Sequence, residues 1–103
     1  MKVYLKRRNG DVDAKGIFDE STGALNVLKG SRVSGQVHHT EKFRGAKTIE
    51  VLREKCVANG VVKEDVLFKS ASTAANFVTG SSTNGLTSWK TEDGVQLRTI
   101  VKG

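Results

Sequence analysis

The chain has no proline, a single cysteine, tryptophan, tyrosine and methionine, and no apolar run approaching the length of a membrane span. With one cysteine, Cys56, an intramolecular disulfide is excluded, and a reducing compartment fits. Met1 runs directly into Lys2-Val3-Tyr4-Leu5-Lys6 without an apolar core of the signal-peptide kind, so the expected location is cytoplasmic, with neither export signal nor membrane anchor. Metal-ligating side chains are scarce as well. Zinc asks for three or four spaced ligands, and the chain offers His38, His39 and Cys56, so no metal is expected. There is no Gly-x-x-x-x-Gly-Lys-Ser/Thr loop and no Gly-x-Gly-x-x-Gly, and the eleven glycines read as turns, not as a nucleotide cradle. His38 and His39 share a polar loop with Glu41, but no spacing sets a nucleophile beside an oriented base. The acids Asp11, Asp13, Asp19, Glu20, Glu92 and Asp93 fall mostly in turns, where Asp serves the backbone. A non-enzyme without a cofactor is expected.

What is present is positive charge. Seventeen Lys and Arg against eleven Asp and Glu give +6 and an isoelectric point near 9.7, which favours polyanionic partners, nucleic acid first. The same charge also serves solubility. A length of 103 residues, 37% of them apolar and 27% charged, predicts one domain over residues 1–103 with a modest core.

Residues 2 to 6 alternate, with Val3 and Leu5 on one side and Lys2, Tyr4 and Lys6 on the other, which predicts a half-buried strand. A charged turn from Lys6 through Asn9-Gly10-Asp11 leads to a strand through Ala14–Phe18, the Asp19–Gly23 turn and a third strand over Ala24–Lys29. Gly30–Gln36 reads as a loop running on through His39. From about Phe43 to Asn59, Phe43, Ala46, Ile49, Leu52 and Cys56 recur at helical spacing, while Lys47, Glu50, Arg53, Glu54 and Lys55 are assigned to the other faces. Gly60 ends this helix. Cys56 should then be buried against the sheet. Val61-Val62 and Val66-Leu67-Phe68 are short apolar pieces, and the Asp93-Gly94 pair predicts a final hairpin whose second strand is Val95–Val101.

The remaining stretch, Lys69 to Lys90, reads as a capped helix, a polar loop and a return strand. Ser70 or Ser72 suits the cap, Ala71, Ala74, Ala75 and Val78 share one helical face, and Gly80 is the stop. A helix start with free N–H groups, preceded by Lys69 and ringed by hydroxyls, is chemistry that holds a phosphate. Trp89, between Ser88 and Lys90 after the Asn84-Gly85 turn signal, could stack on a base; partial burial with one ring edge exposed is expected.

Four passages, Asn26–Ser31, Leu67–Ala75, Thr79–Gly85 and Trp89–Gly94, occur in an order that resembles the domain of unknown function 4357, over roughly residues 14 to 101. That module is found at the C-terminal end of GIY-YIG nucleases and of restriction-modification proteins, and is similar to the RAMA domain. Ala71 stands where a proline is expected, and Leu86 where an aromatic is. The resemblance implies an α+β accessory domain that recognises DNA, including modified DNA, while catalysis belongs to an attached domain.

The expected fold is therefore α+β, an antiparallel sheet of about five or six short strands packed against one long and one short helix. The expected function is non-catalytic binding of double-stranded DNA. Lys29, Arg32, Lys69 and Lys90 are candidate phosphate contacts, Ser70 and Ser72 are expected to present the helix start to a phosphate, Ser31 and Gly85 are counted with the DNA-binding residues, and Asn84 and Trp89 are candidates to touch a base. The alternative is a protein-interaction module that docks on a nuclease or methylase.

Overall fold

The computed structural model describes residues 1–8, 10–39, 43 and 45–101. Asn9 of the charged turn, Glu41 beside the histidines and Arg44 near the expected helix start lie outside the described residues.

The alternating strands form as their periodicity predicts. β1 (Lys2–Lys6), β2 (Asp13–Phe18), β3 (Leu25–Val27) and β6 (Val66–Phe68) make an antiparallel sheet in the order β1-β2-β3-β6. Val3, Leu5, Ala14, Phe18, Leu25, Val27 and Phe68 are buried on one face; Lys2, Lys6, Lys15, Ile17 and Leu67 are exposed on the other. Between β3 and β6 come helix α1 (Ala46–Cys56) and a hairpin of β4 (Val57–Ala58) and β5 (Val61–Val62). Arg32 forms single-residue bridges to both Asp13 and Val61, tying that hairpin to the start of β2.

Helix α2 (Ala71–Thr79) follows β6 and lays Ala71, Ala74, Ala75 and Val78 on the core, where Phe77 meets Phe68 at a centroid distance of 5.1 Å. Ser70 is its N-cap, accepting from the Thr73 N–H at 3.2 Å, and Gly80 ends it at φ +73°. Two single-turn helices complete the chain, α3 (Gly85–Ser88) and α4 (Leu97–Ile100). Among the described residues no helix is long and apolar enough to cross a membrane.

Three expectations need correction. The long helix stops at Cys56, not Asn59, because Asn59 (φ +54°) and Gly60 (φ +77°) are the turn of the β4–β5 hairpin. Arg53 is not on a solvent face but buried, as described below. Finally, Val95–Val101 is not a strand. Lys90 pairs with Gln96 for a single residue, the Thr91–Gly94 turn closes between them, and the chain then winds into α4 so that Leu97 enters the core. Cys56 is buried as expected, at the end of α1.

Candidate functional site

The sheet register builds a basic cleft on the face away from the core. Tyr4 stands opposite Lys15 in the β1–β2 ladder and, on its other side, exchanges backbone hydrogen bonds with Lys90 at 2.7 and 2.9 Å. Residues directly opposite in an antiparallel pair share a face, so Lys90, Tyr4 and Lys15 form one row across three chain segments. Lys6, two residues along β1, joins them with its Nζ 5.7 Å from the centroid of the Tyr4 ring. Together with Ser88, Thr91, Glu92 and Gly94 these residues line an open cleft of about 420 Å³. Lys6, Lys15 and Lys90 are exposed and make no ion pair among the described residues. A cleft of hydroxyls and exposed amines, with the Glu92 carboxylate on its lining, beside an aromatic ring can hold phosphate oxygens and give a base a surface to lie on.

Of the residues singled out in the sequence, Lys90 is in this cleft. Arg32 is brought to the same face, since its bridge partner Asp13 stands opposite Lys6 in the ladder. Lys29 is exposed in the turn after β3. Ser31 is buried and spends its hydroxyl on the backbone of Lys15, accepting from the N–H at 3.0 Å and donating to the carbonyl at 3.2 Å.

The other candidates gather around the start of α2. Lys69 is exposed there and Ser70 is engaged as the cap. The Ser72 hydroxyl accepts from the Gly85 N–H at 3.1 Å, so it fastens α3 to α2 and is not the cap. Asn84 caps α3, its Oδ1 accepting from the Leu86 N–H at 3.0 Å. Gly85 is buried, and a side chain there would run into the backbone of Ala71 and Ser72.

Trp89 corrects the expectation of an exposed edge. It is 0% exposed, its Nε1 donates to the Ala71 carbonyl at 3.1 Å, and its ring passes over Gly16, where a Cβ would lie 3.5 Å from Cζ3. A ring with no accessible face has nowhere to stack a base. The aromatic at the surface is Tyr4, which the sequence placed with Lys2 and Lys6 on the polar side of β1; that alternation was the available signal. Lys15 could join it only through pairing, which the sequence does not print.

A second site missed in the sequence is internal. Arg53 Nε donates to the Phe77 carbonyl at 2.8 Å, Nη1 to Ser34 O at 3.0 Å, and Nη2 to Ser34 Oγ at 2.9 Å and Val78 O at 3.2 Å. Burial pulls its pKa below the ordinary arginine value. These acceptors are the last-turn carbonyls of α2 and the loop that crosses them, so the guanidinium caps the negative end of that helix.

The family model described as Domain of unknown function (DUF4357) matches residues 3–101. The chain belongs to that family. The DUF4357 match reaches further towards the N-terminus than the motif-bearing stretch and so takes in β1, with Tyr4 and Lys6. The serine-rich motif that runs through this DUF4357 domain is largely spent on its own loop: Thr79 Oγ1 donates to Ala75 O at 2.8 Å, and Asn76 Oδ1 accepts from the Thr83 N–H at 2.9 Å. No curated protein and no solved structure matches the chain.

Proposed function

We propose that this DUF4357 domain is a non-catalytic DNA-binding module whose contact surface is the cleft of Lys6, Lys15 and Lys90 around Tyr4. The observation that carries the reading is that segments far apart in sequence bring three exposed amines, without an ion pair among the described residues, to one cleft beside an aromatic ring, on a chain of charge +6. The amines hold phosphates and fix register, and Tyr4 offers a face to a nucleotide. Arg32 extends the basic face, and Lys29 supplies a further cation at the surface. In this reading the domain works for a nuclease or methylase of a restriction-modification system, which carries out the chemistry while this module holds DNA.

Titration of a labelled duplex at several salt concentrations tests it. Affinity should fall as salt rises, with a log–log slope of about −3 if three phosphates are contacted. Binding that is undetectable at low salt, or insensitive to salt, overturns the reading and moves docking on a protein partner ahead of it.

A further inference from the structure

The far edge of the sheet carries an inference independent of DNA. β6 is the last strand in the order β1-β2-β3-β6, and among the described residues no strand lies on its other side. Its middle residue, Leu67, is 72% exposed, the highest exposure among the large apolar side chains described.

The hydrogen-bond alternation says which backbone groups that edge offers. The Asp19 N–H donates to Ala24 O and the Leu28 N–H to Lys15 O. In the same ladder Ile17 stands opposite Asn26, so Asn26 turns its N–H and C=O towards β2, while Leu25 and Val27 turn theirs towards β6. Their partners there are Phe68 and Val66. It follows that Val66 and Phe68 face inward along the ladder, and that the N–H and C=O of Leu67 point out from the free edge.

The sequence on this edge is Asp65-Val66-Leu67-Phe68-Lys69, an acid and a base placed symmetrically about Leu67. We propose that the free edge of β6 pairs antiparallel with the same edge of a second copy of this chain, about a two-fold axis through Leu67. In that register Leu67 exchanges both backbone bonds with its counterpart, and Asp65 of each copy stands opposite Lys69 of the other, twice by symmetry. All three residues lie on the outer face. Asp65 uses Oδ1 for the Lys29 N–H at 2.7 Å and keeps Oδ2 for the pair; Lys69 makes no ion pair among the described residues. An unrelated strand would gain nothing from this symmetry, whereas a second copy matches it at both ends. β6 is a short edge of three residues with a charge at each end, but its middle side chain is an exposed leucine and it carries no proline, and in the antiparallel register the end charges attract each other.

Sedimentation equilibrium from micromolar to millimolar concentration should show a monomer–dimer equilibrium. Leu67→Pro removes the outward N–H while sparing the bonds to β3, which come from Val66 and Phe68, so the variant should keep its circular dichroism and weaken the dimer about tenfold or more. Lys69→Asp sets carboxylates against each other at both ends and should weaken the dimer too; Asp65→Lys combined with Lys69→Asp should restore it. The charge pair and its reversal decide the matter if Leu67→Pro fails to fold. A chain that is monomeric throughout the range overturns the proposal. So does a dimer indifferent to Lys69→Asp, or one that the double reversal does not rescue.

Discussion

Two side chains grip helix α2 from inside, one at each end. At its start the Trp89 indole donates to Ala71 O while the ring fills the space that Gly16 leaves open. Truncation to alanine removes the largest buried side chain, and Trp89→Ala should cost roughly 3–5 kcal/mol in urea denaturation. Trp89→Phe keeps most of the packing and loses the donor, so it should cost less. At the far end Arg53 satisfies carbonyls that have no partner within the helix. Arg53→Leu takes the guanidinium donors from the Phe77 and Ser34 carbonyls, while Val78 O keeps the Ser34 N–H at 2.9 Å, and should cost at least about 2 kcal/mol. Arg53→Lys should not recover the loss, because one ammonium cannot reach acceptors spread around a planar fork. If Arg53→Leu unfolds at the same urea midpoint as the parent, the capping role is wrong.

At the scale of elements, what was legible in the sequence was whatever one strand or helix decides alone. The alternation of Val3 and Leu5 with Lys2, Tyr4 and Lys6 gives β1 and its polar face, and Ser70 with Gly80 brackets α2. Arg53 was equally within reach, since it lies four residues after Ile49 and three before Cys56, on the buried stripe of α1; its charge argued against its position, and position won because carbonyls were there to receive it. The errors lie where one signal fits two structures. Asn59-Gly60 suits both a helix end and a hairpin turn, and the strand partner Val61-Val62 made it the turn. The piece from Val95 onward has the composition of a strand, yet Leu97 reaches the core only by leaving the sheet after Gln96. The Asn59 backbone at φ +54° gives a check: Asn59→Gly should leave stability nearly unchanged, and Asn59→Ala should lower it by about 1 kcal/mol, as a thermal melt would show.

For the whole molecule the question is whether binding follows total charge or the place where charge is gathered. The cleft could not be read from the sequence because Lys6, Lys15 and Lys90 become neighbours only through the Tyr4 pairings with Lys15 and Lys90. Two triple variants separate the cases. Neutralising Lys6, Lys15 and Lys90 to glutamine and neutralising Lys47, Lys55 and Lys63 to glutamine both lower the +6 charge by three, and all six side chains are exposed, so neither set should disturb the core. If the cleft holds the phosphates, the first variant loses about 0.9 from the magnitude of the salt slope for each contact removed, while the second keeps the parent slope and loses little affinity. Tyr4→Ala adds a further discrimination: it leaves the charge intact, so it should spare the slope while weakening binding of a strand whose bases are free to lie on the ring. Equal losses from the two triple variants would mean that DNA responds to net charge alone, and the cleft around Tyr4 would then have no claim to be the site.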